Sequence, residues 1–67
     1  MNIIAQGPGF KAWANNDRTE VVIERSGAVQ RGDMPGVVDI MSRGAWVAHG
    51  LEEREDGSLY ERWVRHA

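Results

Sequence analysis

The stretch that decides the fold is residues 45–66, which read AWVAHGLEEREDGSLYERWVRH. Two strand-length segments, 45–53 and 59–66, are rich in Trp, Val, Leu and Tyr. They are separated by Asp56-Gly57, and an Asp-Gly pair between two apolar segments is a strong hairpin signal. The sequence therefore predicts an antiparallel β-hairpin over its last third.

The pairing of charges across this hairpin selects a loop length. A three-residue loop at 56–58 places Glu52 opposite Arg62, an ion pair. A two-residue loop would place Glu52 opposite Glu61, and like charges directly across a ladder are destabilising. We therefore expect the three-residue loop.

The segment upstream of the hairpin contains one more clear strand and one helix. Residues 19–24 alternate in polarity, with Val21 and Ile23 on the same face, as in a half-buried strand. Residues 33–44 have helical spacing: Asp33 can cap the start, Pro35 fits the first turn and Gly44 fits the end. The apolar stripe of this helix is Val37, Ile40 and Met41.

A helix of two to three turns is not stable alone, so this stripe must pack on the sheet. The predicted fold class is α+β: a small antiparallel sheet of four to five strands with one short helix packed on it. The chain of 67 residues is too short for more than one core, so residues 1–67 are expected to form a single binding domain.

Composition limits the function classes. The 8 Lys+Arg and 10 Asp+Glu residues leave a net charge of −2, whereas dedicated nucleic-acid binders carry a basic excess. The absence of cysteine fits a reducing compartment. The first residues resemble no signal peptide, and no apolar run approaches the roughly 20 residues that span a bilayer. We expect a cytoplasmic protein with no membrane association, in the host cytoplasm if a phage encodes it.

Few residues suggest catalysis or metal binding. His49 and His66 are the two histidines, and a metal would need at least one further ligand from Asp or Glu. Hydroxyl side chains are present, but none stands in a spacing that indicates a nucleophile with its base. A domain this small also has little room for a pocket of about 300 Å³. We therefore expect no enzymatic activity, no metal and no cofactor.

The aromatic residues divide into core and surface candidates. Trp46 and Trp63, one from each hairpin strand, are expected to supply the core. Phe10 and Trp13 have opposite strand parity in the segment FKAWA, so one of them should face outwards. An exposed Trp on a small domain is a candidate binding hot spot.

The tip of the hairpin is acidic. Residues 52–56 read EERED, and clustered carboxylates on a rigid turn would seek a basic surface on a partner. The second strand adds an aromatic and basic stripe beside the tip. The predicted partner-binding residues are Glu52, Glu53, Glu55, Asp56, Tyr60, Arg62 and Trp13.

Three short motifs resemble the C-terminal hairpin of a small phage-encoded anti-CRISPR inhibitor of type I-F systems. They are GAWVAH at 44–49, EDG at 55–57 and RWV at 62–64. This resemblance implies a small α+β protein that acts without catalysis. It would occupy the DNA-binding groove of a crRNA-guided surveillance complex.

We therefore predict a non-enzymatic, phage- or mobile-element-encoded inhibitor that binds a larger bacterial protein or ribonucleoprotein complex. Direct nucleic-acid binding is not expected, and exposed edge strands would permit a homodimer. Two alternatives remain open. One is a nucleic-acid-binding β-module in which Trp13, Tyr60 and Arg65 stack on single-stranded bases. The other is a self-associating subunit of a phage assembly.

Overall fold

The computed structural model describes residues 1–66; Ala67, the last residue of the predicted domain, lies outside the described residues. The chain forms one five-stranded antiparallel sheet in the order β1-β2-β3-β5-β4. The elements are β1 (Asn2–Gly7), β2 (Phe10–Ala14), β3 (Glu20–Ser26), a 3-10 turn (Arg31–Asp33), α1 (Pro35–Met41), β4 (Val47–Glu53) and β5 (Ser58–Val64). The fold is mostly sheet with one short helix. Among residues 1–66 no helix has the length and apolar character to cross a bilayer.

The core lies between the helix and one face of the sheet. Val21 and Ile23 are fully buried, so the alternation predicted for β3 is confirmed. Ala12 and Ala14 on β2 are also buried, and their small side chains let the covering segment approach the sheet. From the covering side the core receives Val37, Ile40 and Met34. Of the predicted stripe, Met41 is only partly buried.

The helix is shorter than predicted, and Asp33 has another role. Residues 31–33 form a separate 3-10 turn, and the carboxylate of Asp33 accepts a hydrogen bond from the Gln30 N–H at 2.9 Å. The N-cap of α1 is Met34, which makes no side-chain cap bond. The prediction that Asp33 caps the helix is therefore wrong, because Pro35 already occupies the first helical position two residues later.

The hairpin forms, but its register differs from the predicted one. Glu52 lies opposite Tyr60 and Leu51 opposite Glu61, so Glu52 does not face Arg62. The shift is two residues, and side chains alternate with a period of two. Glu52 and Arg62 consequently still share a face of the sheet.

The turn explains the shift. Its three loop residues are 55–57, one position earlier than predicted, because the Arg54 N–H donates to the Ser58 carbonyl at 2.9 Å. The Gly57 N–H also donates to the Arg54 carbonyl at 2.9 Å. Gly57 adopts φ +85°, the left-handed conformation that this loop type needs at its last residue and that glycine adopts without steric cost.

The two hairpin tryptophans line the core and do not fill it. Trp46 and Trp63 are half-buried and pack against the buried cluster. The largest fully buried side chains are Ile23, Met34, Val21 and Val37. Trp46 precedes β4, so its ring packs from the connecting segment and not from the strand.

Candidate protein-binding surface

One face of the sheet is left open. Phe10 packs against the core, whereas Trp13 points to the opposite face, so the predicted difference in parity is confirmed. Tyr60 and Arg62 on β5 share this second face with Trp13. Among the described elements, the helix and the 3-10 turn pack on the core side only. We call the second side the open face.

Trp13 lies in a row that crosses the open face. Ile3 on β1 and Val22 on β3 are its direct neighbours, and Arg62 follows on β5. Ile3 is 52% exposed. The ammonium of Lys11 lies 5.6 Å from the Trp13 ring centroid, within the range of a cation–π interaction. The tryptophan is therefore half-buried among its neighbours and still exposes part of its side chain to solvent.

Arg62 is held on the open face by Glu20. Its Nε and Nη2 donate to the two Glu20 carboxylate oxygens at 3.2 and 3.0 Å, the forked geometry that favours Arg–carboxylate pairs. These hydrogen bonds from Arg62, together with its charge, hold the pKa of Glu20 below its ordinary value of 4.5. The hydrogen bond to Glu20 and the negative charge of Glu20 correspondingly raise the pKa of Arg62. Glu20 thus fixes the position of the Arg62 guanidinium on the open face.

This pair predicts a pH dependence of stability. A lowered carboxyl pKa contributes stability that is present above pH 4.5 and is lost as the pH falls through the folded-state pKa. We expect Glu20→Gln to lower the melting temperature by about 2–4 °C at pH 7, as for an exposed ion pair. Thermal unfolding at pH 7 and pH 3 should show this difference shrinking towards zero at pH 3. A difference that is equal at both pH values would contradict the role of the Glu20 charge.

The four predicted tip acids are all exposed. Glu52 lies on the open face opposite Tyr60, Glu53 lies on the other face, and Glu55 is in the turn. Within residues 1–66, none of these three glutamates forms an ion pair or a side-chain hydrogen bond. Their carboxylates are therefore available to a basic partner.

Asp56 stabilises the turn through a hydrogen bond. Its Oδ1 accepts a hydrogen bond from the Ser58 N–H at 2.9 Å. The hydrogen bonds from Ser58 lower the pKa of Asp56 from its ordinary value of 3.8, so the carboxylate remains charged down to acid pH. Asp56 thus both closes the turn and adds a charge to the tip.

Arg54, the one basic residue of the tip, pairs with Glu24 and lies over Tyr60. The guanidinium of Arg54 lies 5.7 Å from the Tyr60 ring centroid and 3.8 Å from Glu24 Oε2. This arrangement places Arg54 over the open face. The turn is left with a local excess of negative charge.

A cluster around the buried Glu61 was not predicted from the sequence. This residue is 7% exposed, and its Oε2 accepts from Arg25 Nε at 2.7 Å while its Oε1 accepts from Trp63 Nε1 at 3.0 Å. Arg31 places its Nη2 3.8 Å from Oε1 and its guanidinium 5.4 Å from the Trp63 ring. Arg25 also donates to the Val29 carbonyl at 2.5 Å.

A signal for this cluster was present in β5. Leu59, Glu61 and Trp63 share one parity, so an acid stands between two apolar residues on the face that turns towards the core. A charge at such a position must be paired. The cluster joins the connecting segment to β5.

Arg65 also has a structural role. Its Nε donates to the Arg18 carbonyl at 2.7 Å, its Nη1 donates to the Arg43 carbonyl at 2.6 Å, and its guanidinium lies 5.1 Å from the Trp46 ring. Arg65 therefore links the β2–β3 connection to the segment after α1 through these two hydrogen bonds. It does not lie beside Trp13 and Tyr60, as the base-stacking alternative requires.

The two histidines line a cavity of about 390 Å³ with Val47, Arg62 and Val64, so the expectation that this small domain has little room for a pocket of about 300 Å³ is wrong. Among residues 1–66, no three His, Cys, Asp or Glu side chains come together as a possible metal-binding group, at this cavity or elsewhere.

Comparison with known proteins returned no match: no family model, no curated protein and no solved structure matches the chain.

Proposed function

We propose that this chain is a non-enzymatic protein-binding domain that docks through its open face and acidic hairpin tip onto a basic surface of a larger partner. The single observation that carries the proposal is the grouping of Trp13, Tyr60 and Arg62 on one uncovered sheet face beside unpaired tip carboxylates. Trp, Tyr and Arg are the residue types that dominate binding hot spots.

The charges of the open face favour a protein over a nucleic acid. Three basic and three acidic side chains lie on it: Lys11, Arg54 and Arg62, and Glu20, Glu24 and Glu52. Arg62 and Arg54 are already engaged by Glu20 and Glu24. A phosphate backbone needs a surplus of free cations, and this face supplies no such surplus. Electrostatic complementarity with a mixed or basic protein surface fits it better.

The resemblance of residues 44–64 to a type I-F anti-CRISPR hairpin suggests the first partner to test. We propose that the basic surface is the DNA-binding groove of a crRNA-guided surveillance complex and that occupying it inhibits the complex. Clustered tip carboxylates would take the place of phosphates there. Trp46 and Trp63, which belong to the motifs that carry the resemblance, pack against the core in this protein. We therefore assign the contact with the surveillance complex to the hairpin tip and the open face.

The test measures binding of the purified full chain to a purified type I-F surveillance complex by biolayer interferometry. We expect Glu52→Gln/Glu55→Gln to weaken binding about tenfold and to reduce its dependence on salt, because both charges face the partner. We expect a similar loss for Trp13→Ala, together with competition by target DNA.

Matched variants separate a specific contact from a general effect. Asp17→Asn/Asp39→Asn removes the same charge at exposed positions away from the tip. Val38→Ala truncates an apolar side chain that is 41% exposed on the helix. Both controls should bind like the parent chain. Equal losses in the controls, or no binding of the parent chain to the complex, would reject the proposed target.

A further inference from the structure

The outer edge of β4 is free for pairing. This strand is last in the sheet order and pairs only with β5, and all of its residues except Gly50 are exposed. A bulge between Ala48 and Gly50 interrupts the ladder, and residues 50–53 then pair regularly with β5. The second half of β4 is therefore a regular edge that presents unpaired backbone N–H and C=O groups on its outer side.

An apolar groove lies beside this half of the strand, on the core side of the sheet. It has a volume of about 380 Å³, and its apolar lining comes from Leu51, Leu59 and Trp63. Leu51 is 64% exposed, the largest value among the exposed large apolar side chains of the described chain. The helix packs over β1, and the 3-10 turn covers the core side of the sheet only as far as Glu61. The part of β4 and β5 nearest the hairpin tip therefore remains uncovered on this side.

The charges at the groove come from two free acids. Glu52 and Glu53 lie at its edge, with Glu53 on the groove side of the sheet and Glu52 on the open face. Glu61 also borders the groove, but Arg25 and Arg31 already neutralise it. A strand added at this edge therefore meets the apolar floor on one face and the Glu52 carboxylate on the other.

We infer that the β4 edge accepts an extended segment of the partner as a sixth strand, with apolar side chains against Leu51 and basic side chains beside Glu52. Strand addition gives affinity through backbone hydrogen bonds and specificity through alternate side chains. Because side chains alternate between faces, the segment must alternate apolar residues, on the side of Leu51, with basic residues, on the side of Glu52. This inference rests on the proposed function and states the class of partner segment: a basic, alternating β-strand.

A second copy of this chain is a poorer occupant of the same edge. Pairing β4 with β4 of another copy would bring the unpaired glutamates at positions 52 and 53 of two chains close together. Like charges across a ladder are destabilising. A basic segment removes this repulsion and gains from the same charges.

The probe is the acetylated and amidated peptide Arg-Val-Arg-Ile-Arg-Val-Arg, titrated into the ¹⁵N-labelled full chain and followed by NMR. We expect amide shifts concentrated on residues 50–53 and on Leu59. Leu51→Ser should weaken binding about tenfold, since it removes the apolar contact of a side chain that is already exposed. Glu52→Gln should weaken binding about tenfold at low salt and flatten its salt dependence, because it removes the carboxylate beside the basic side chains.

The matched control is Val38→Ser, an exposed apolar residue on the helix and away from the open face, which should bind the peptide like the parent chain. A peptide N-methylated at alternate residues, which cannot form the ladder, should not bind. Equal binding of the methylated peptide, shifts centred on β1, or dimerisation through β4 would each overturn strand addition.

The two proposals fail separately. If the surveillance complex binds the chain normally while the peptide does not, the strand-addition inference alone is overturned. If the peptide binds at β4 while no surveillance complex does, the inference is supported and the proposed target is rejected.

Discussion

Replacing Glu61 by alanine is expected to lower the free energy of unfolding by about 3 kcal/mol, a large fraction of the stability of a small domain. The carboxylate accepts from Arg25 Nε at 2.7 Å and from Trp63 Nε1 at 3.0 Å. Removing it leaves a half-buried guanidinium and an indole N–H without their acceptor. Removing one partner of such a pair lowers the free energy of unfolding by more than the intact pair contributes to it, because the other partner is left buried without an acceptor.

Urea unfolding followed by tryptophan fluorescence measures this loss. Glu61→Gln should fall between the parent chain and Glu61→Ala, because the amide oxygen can still accept one of the hydrogen bonds. The matched control is Glu24→Ala on the neighbouring strand. Glu24 lies 3.8 Å from Arg54 with a side chain that is 45% exposed, so we expect a loss below about 1 kcal/mol. Equal losses at positions 61 and 24 would contradict the structural role assigned to the buried cluster.

Replacing Gly36 by alanine is expected to destabilise the protein by about 2 kcal/mol, although alanine is the better helix former by about 1 kcal/mol. A Cβ at this position would lie 2.7 Å from the Ile4 carbonyl oxygen and 3.2 Å from the Ala5 Cβ. The obstructing oxygen belongs to the β1 backbone, so relief requires the helix to move away from the sheet. That movement would loosen the packing of Val37.

Circular dichroism during urea unfolding tests this prediction. Gly32→Ala is the matched control, since an added Cβ there meets no heavy atom within 4 Å among the described residues. We expect a change within about 0.5 kcal/mol for this control. A Gly36→Ala variant as stable as the parent chain would show that the contact between the helix and β1 is not tight.

Gly36 also makes a contact that could not be predicted from the sequence. In the sequence a glycine near the helix start is a weakness in a helical pattern. In the folded protein it lets α1 approach the carbonyl of Ile4, a residue 32 positions earlier. Propensity describes a helix in isolation, and the close approach exists only once the sheet is assembled.

The geometry of the proposed binding surface was predicted in part. Parity alone predicted that Phe10 and Trp13 face opposite sides, and the four tip acids are exposed as expected. The sequence could not predict that Trp13 and Tyr60 lie on the same open face, because β3 separates their strands in the sheet. Nor could it show that Arg65 is drawn to the carbonyls of Arg18 and Arg43.

By itself the sequence determined the local features: the alternation of Val21 and Ile23, the short helix around Val37 and Ile40, and a hairpin closed at its Asp-Gly pair. These follow from side-chain period and turn chemistry, which act over a few residues. The tertiary structure alone decided that β5 lies between β3 and β4 and that Glu61 meets Arg25. Such contacts join residues far apart along the chain, and they form only where the complete sheet and its covering segment bury the charge.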